Sequence, residues 1–251
     1  MAATSLPDRP DLLRDLVLAN RILAHEGVVD AFGHVSIRHP DDPERFIVSR
    51  SLGPELVTEA DLQVFALDGA QVGGHPDRPY AERVIHGAVY EARPEVMAVC
   101  HNHAPSVIPF SVTGVPLRPI AHLAAPIGAE IPVWDIADRF GETDMLVRTI
   151  EQARSLAATL AGRTVALMRG HGSVVAGPNV RAVTSICVYL ERNAQLLLQA
   201  LTLVGATGGT PDRIHYLSDG EIALQGSMDG LSLDSLGLQR AWTTWVGRVG
   251  G

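Results

Sequence analysis

The chain has 251 residues, 46% hydrophobic and 19% charged, with a formal net charge of -8. That is enough apolar material to bury a substantial core as one domain, so disorder is not expected. The 20 Lys and Arg residues are scattered, which leaves no basic footprint and therefore no expected nucleic-acid partner.

The N-terminal stretch MAATSLPDRPDLLRDL carries acids where a signal peptide carries bases, and no apolar run approaches a membrane span. Cys100 and Cys187 form no CxxC pair, so two free thiols in a reducing compartment are expected. Together these features predict a cytoplasmic protein with no membrane partner.

Asp11 is a candidate cap for a first helix bearing Leu12, Leu13, Leu16, Val17, Ile22 and Leu23, with Gly27 as its stop. Strand character follows over 34–38, 46–49 and 63–67, separated by turn-rich pieces, as in antiparallel hairpins. A helix is predicted from 80 to about 93, ended by Pro94, and then an apolar strand runs into Cys100-His101-Asn102-His103. An amphipathic helix is predicted over 143–161, then a strand over 164–168 running into Arg169-Gly170-His171-Gly172. Pro178 would open a long helix reaching toward Leu203. No linker or repeat interrupts the chain, so residues 1–251 read as one domain, with an irregular tail from about Pro211.

The chemistry concentrates in the histidines. Successive strand side chains point to opposite faces, so His101 and His103 can share a task only if the strand ends between them. An isolated H-x-H pair is more often two unrelated surface or loop histidines than a metal site. The second corner, a buried strand running into His171 and glycine, favours three neutral imidazoles around one ion, with Glu82 as a fourth ligand or an acid/base. His25, His39 and His75 lie in polar or turn contexts and are read as solvated. His86, four residues after Glu82 on the same helix face, supports the site or simply packs.

The set Gly33-His34-Val35-Ser36, Ser49-Arg50-Ser51, Glu82 with His86 and Tyr90, ARPEVMAVCHNHAP and MRGHG resembles the class II aldolase/adducin superfamily from about Leu12 to Ala200. The resemblance implies an α/β fold, an α/β/α sandwich around a largely antiparallel central sheet, assembled as a homotetramer. It also implies one divalent metal ion per chain on His101, His103, His171 and Glu82, with Zn favoured by three imidazoles and Mn, Fe or Co as alternatives. An enzyme is favoured over an adducin-like interaction module, because the histidine triad is retained.

Departures from the family pattern select the reaction. Sugar-phosphate aldolases of this family hold phosphate with a Gly-Asn-x-Ser turn and a Ser-Ser-Glu sequence. Here His34 replaces the asparagine and Tyr80-Ala81 replace the serines. A substrate without phosphate is inferred, with Arg50, flanked by Ser49 and Ser51, and with His34 and Ser36, as its binding residues. The arginine fork matches a planar carboxylate.

SRSLGPELVTEADL, PVWDIADRFGETDMLV and LMRGHG look more like the decarboxylase branch, which acts on hydroxylated aromatic acids such as 3,4-dihydroxyphthalate. The expected reaction is metal-dependent, non-oxidative decarboxylation of such an aromatic acid. The ion would chelate phenolate and carboxylate, and Glu82 or His34 would protonate the ring carbon. The alternatives are an aldolase or epimerase on a non-phosphorylated hydroxy-carbonyl substrate, or an oxygen-using hydroxyphenylpyruvate-type relative.

Overall fold

The computed structural model describes residues 5–225 and 228–250. Helix α1 (Pro10–His25) opens the chain. It starts two residues earlier than a cap at Asp11 would give, because Pro10 occupies its first turn, where the missing N–H costs nothing. β1 (His34–Arg38), β2 (Arg45–Ser49), β3 (Leu62–Ala66) and β4 (Gln71–Val72) form the expected antiparallel meander. A 3-10 turn over Ala81–Arg83 precedes α2 (Val84–Ala92), which takes the place of one continuous helix from Tyr80.

β5 (Ala98–Asn102) then crosses the molecule and leads to α3 (Phe110–Thr113), β6 (Val133–Trp134) and α4 (Ala137–Phe140). α5 (Ile150–Leu160) begins later than the apolar periodicity from Thr143 predicted. Thr149 and Gln152 form a capping box there, leaving 143–149 as a loop that the site uses. β7 (Val165–Met168) and β8 (Gly172–Gly177) follow. The long α6 (Val180–Ala206) is capped by the Asn179 side chain, so Pro178 lies just outside it.

The tail is not irregular. α7 (Asp219–Gln225), α8 (Met228–Leu231) and α9 (Leu236–Arg248) occupy it, and Leu238, Trp242 and Trp245 of α9 are buried on one helical face. Two tryptophans spaced for a helix were legible as a buried stripe, but the polar residues around them concealed it.

The sheet order is β4-β3-β2-β1-β5-β8-β7-β6, antiparallel throughout except for the β6–β7 pair. Strand alternation divides the core into two layers. Val35, Ile37, Ala98 and Cys100 face one apolar cluster with α1, α6 and α9. Val48, Val99, Ala166 and Val174 face a second cluster with α2 and α5. The α/β/α sandwich around a largely antiparallel sheet is therefore observed. Each fully buried aliphatic side chain, such as Leu16, Ile85 or Leu156, contributes on the order of 1.5–3 kcal/mol. No helix among the described residues is long and apolar enough to cross a membrane.

Candidate active site

The site forms at the end of β5, on the sheet face covered by α2 and α5. In the register of β1 against β5, His34 lies opposite His101 and Ser36 opposite Val99. His34, Ser36 and His101 therefore point to the same side. β5 ends at Asn102, as a shared task for the two histidines requires, and the turn after it brings His103 Nε2 to 3.1 Å from His101 Nε2.

The β7–β8 corner delivers His171. Only glycine fits at position 172, since a Cβ there would lie 2.1 Å from the Asn102 carbonyl oxygen. Glu82 comes from the 3-10 turn before α2. One ligating atom from each of Glu82, His101, His103 and His171 lies within 4.8 Å of all the others.

Their hydrogen bonds orient these groups for a cation. His101 Nδ1–H donates to the Ser173 carbonyl at 3.1 Å, and His171 Nδ1–H to the Met145 carbonyl at 3.0 Å. Each ring therefore turns an Nε2 lone pair toward the cluster. Glu82 Oε1 accepts the Val147 N–H at 2.8 Å, while Oε2 faces His101 Nε2 at 3.6 Å and His171 Nε2 at 3.7 Å. Met145 holds φ at +66°, an uncommon conformation for a side-chain-bearing residue, while its carbonyl serves His171.

Electrostatics suit the same purpose. Burial and the neighbouring His101 and His171 push the His103 ring down to about 4, and burial with His101 also lowers His171. Burial opposes ionisation of Glu82, but His101, His171 and the Val147 N–H outweigh it and hold the carboxyl at about 2. Neutral rings and an ionised carboxylate are the protonation states a divalent ion needs. Neighbouring ligand atoms around a small tetrahedral ion are about 3.3 Å apart, close to the His101–His103 spacing. The donor set fits a divalent cation.

A cavity of about 440 Å³ opens beside this cluster. Glu82, His34, His103, His171 and Ser51 line it, and Phe32, Tyr80, Met145 and Leu146 give it apolar walls. No arginine or lysine is among its described lining residues.

Three of the expected substrate-binding residues lie elsewhere. Arg50 Nε is paired with Asp61 Oδ1 at 2.6 Å and lies 3.4 Å from Asp77 Oδ2, so its charge is neutralised by carboxylates outside the cavity. Ser49 is fully buried beside the Tyr80 hydroxyl. Ser36 is fully buried, hydrogen-bonded to His86 and Tyr90.

Two other histidines also differ from expectation. His39 is buried rather than solvated, with Nε2 3.1 Å from the Ser5 carbonyl. His86 is not a plain packing residue, because both of its ring nitrogens are hydrogen-bonded to other side chains. Missed altogether were the backbone groups of Met145 and Val147, which no side-chain pattern announces. Phe32 and Tyr80 were also missed as wall residues, though Phe32 adjoins Gly33 and Tyr80 precedes Glu82 by two positions.

A layered sheet that gathers three imidazoles and a carboxylate from the end of β5, the β7–β8 corner and the turn before α2 is the arrangement of a lyase with a candidate metal site. Residues 14–198 match the Class II Aldolase and Adducin N-terminal domain, and the chain belongs to that family. Within the family it falls in the decarboxylase branch. It is 32% identical to Decarboxylase tropJ of Talaromyces stipitatus, with 94% of this chain and 93% of that protein covered. It is 30% identical to 3,4-dihydroxyphthalate decarboxylase of Arthrobacter keyseri, covering 78% of this chain and 82% of that one. The fold is shared with an aldolase II superfamily protein from Pseudomonas syringae, at a TM-score of 0.76 and 21% identity over 98% of this chain and 94% of the other.

Proposed function

We propose that the protein catalyses metal-dependent, non-oxidative decarboxylation of a hydroxylated aromatic acid. The observation that carries this reading is the junction of a donor set suited to an ion with an apolar-walled cavity that has no arginine or lysine among its described lining residues. A flat ring suits walls of Phe32, Tyr80, Met145 and Leu146. Among the described lining residues a phosphate finds no arginine or lysine and no pair of neighbouring serines, Ser51 being the one serine there, which argues against a sugar-phosphate substrate. For the same reason a second, retained carboxylate on the ring is not required. This reading drops the Arg50 anchor expected from the sequence, and a monocarboxylate is favoured over the dihydroxyphthalate type.

A divalent ion on His101, His103, His171 and Glu82 supplies Lewis acidity at the substrate oxygen where electrons collect as the ring–carboxylate bond breaks. The chain's own residues do the rest. His101 and His171 are held in the ligating tautomer by the Ser173 and Met145 carbonyls. Glu82 is fixed by the Val147 N–H, and the apolar walls limit water at the reacting carbon. Carbon dioxide leaves without the bonding pair, and the ring carbon then takes a proton. Glu82, ionised in the free site, would relay to it the proton that the substrate hydroxyl gives up on binding, and His34 is the other candidate donor.

By resemblance to the family, the working assembly is a homotetramer, which light scattering tests. The function is tested by carbon dioxide release across ortho-hydroxy aromatic acids and their methoxy analogues. Release from the hydroxy acids alone is expected. Equal release from the methoxy analogues, or turnover of sugar phosphates in their place, would overturn the reading.

A further inference from the structure

Four side chains form a continuous chain behind the cavity. His34 Nδ1 lies 2.6 Å from His86 Nε2, His86 Nδ1 lies 2.7 Å from Ser36 Oγ, and Ser36 Oγ lies 2.8 Å from the Tyr90 hydroxyl. All four residues are at most 3% exposed. His34 also lines the cavity, with its ring 4.4 Å from that of Tyr80. The metal cluster uses none of these four groups.

Counting hydrogens gives the chain a direction. A buried hydroxyl that fails to donate costs the desolvation of that group, so the Tyr90 O–H must find an acceptor. Ser36 Oγ is its hydrogen-bonded side-chain partner among the described residues. Burial also holds the Tyr90 phenol well above its ordinary value, so the proton stays on it. With that hydrogen received, the single Ser36 hydrogen goes to its other partner, His86 Nδ1. An accepting Nδ1 on a neutral ring places the His86 hydrogen on Nε2, which donates to His34 Nδ1. Neither buried ring has a carboxylate hydrogen-bonded to it that would favour a cation.

We propose that Tyr90, Ser36 and His86 are positioning residues that set this direction and hold His34 as its Nε2–H tautomer, offering that N–H to a substrate oxygen. This role deepens the decarboxylase reading and rests on it for its kinetic arm alone. A neutral imidazole N–H is a hydrogen-bond donor and a very weak acid. Shifting its hydrogen out along the chain would leave a buried tyrosinate. His34 therefore stabilises the oxygen on which negative charge collects, as donors in an oxyanion site do, which leaves protonation of the ring carbon to Glu82, the other of the two candidate donors. The Val99 carbonyl also faces the His86 ring. A His86 hydrogen drawn to it would run the chain the other way and leave His34 Nε2 bare.

The test is a long-range proton–nitrogen correlation spectrum of zinc-loaded protein labelled with ¹⁵N-histidine. The His34 signals are assigned by their loss in His34→Gln. Protonated Nε2 and bare Nδ1 are expected in the wild type, with both tautomers populated in Tyr90→Phe. On a turned-over substrate, Tyr90→Phe and Ser36→Ala should lower kcat by about tenfold, with KM within about twofold and zinc content unchanged.

Protonated Nδ1 in the wild type overturns the proposal, as does an unchanged His34 spectrum in a folded Tyr90→Phe. The wild-type spectrum decides the matter even where a variant fails to fold. It requires no substrate, so failure of the decarboxylase reading leaves it intact.

Discussion

The Glu82 carboxylate is divided between two tasks: Oε1 accepts the Val147 N–H at 2.8 Å, and Oε2 faces His101 and His171. One residue thereby ties the loop before α5 to the proposed ion. Glu82→Gln keeps an oxygen for Val147 but removes the charge. Metal affinity should fall at least tenfold while the fold is retained. Elemental analysis after dialysis and circular dichroism check this, and full metal occupancy would count against Glu82 as a ligand.

Cys100 and His101 are neighbours on β5 but face opposite layers. Cys100 packs in the α6 layer, where Asn102 Nδ2 lies 4.0 Å from its sulfur and 3.8 Å from that of Cys187. Cys100→Ser should leave metal content unchanged and lower stability by about 1–3 kcal/mol, the cost of a buried hydroxyl in place of a thiol. His103→Ala should do the reverse, losing metal with little loss of apo stability. Metal loss in a folded Cys100→Ser would contradict the assignment of faces.

Arg50 serves the fold here. Its Nε pairs with Asp61, and its N–H donates to the Asp61 carbonyl. The neighbouring Ser51 N–H donates to the Arg78 carbonyl, tying this loop to the segment that leads to Glu82. Arg50→Lys should therefore lower the melting temperature and leave KM within about twofold for mono- and dicarboxylate substrates alike. A loss confined to the dicarboxylate would restore the carboxylate anchor.

Acid should destabilise the metal-free protein. The His103 ring titrates at about 4 in the fold against 6.5 when unfolded, so between these values the unfolded chain binds more protons. Stability is intact above about pH 6.5 and falls as the pH drops toward 4, by at most about 3 kcal/mol from this residue. Glu82, at about 2 against 4.5, contributes stability above pH 4.5 that is lost as the pH falls toward 2. Melting curves of chelator-treated protein from pH 7.5 to 4 check the sign, and a melting temperature that stays level or rises would contradict it.

Residues of strong chemical type carried most of what could be read in advance. His101, His103, His171 and Glu82 were recognisable because an H-x-H at a strand end and a second histidine corner are unusual, and the structure brings all four together. Apolar alternation located β1, β2, β3, β5 and β7. β8 was missed because its residues, GSVVAG, begin and end in glycine. Arg50 was misjudged because a sequence shows an arginine's capacity for carboxylates but not which carboxylates reach it first. The same holds for Ser36, whose hydroxyl looked like a ligand group but turns into the interior because its strand position pairs with Val99. The loop 143–149 was hidden by helical periodicity that the Thr149 cap cuts short.

The central claim is that one divalent ion on the three histidines and Glu82 enables decarboxylation. Its most direct test is carbon dioxide release by chelator-stripped protein titrated with zinc or manganese on an accepted ortho-hydroxy aromatic acid. The account predicts no release without metal, full recovery at one ion per chain, and no recovery in His171→Ala at the same metal level. Undiminished release from stripped protein, or recovery in His171→Ala equal to the wild type, would contradict it.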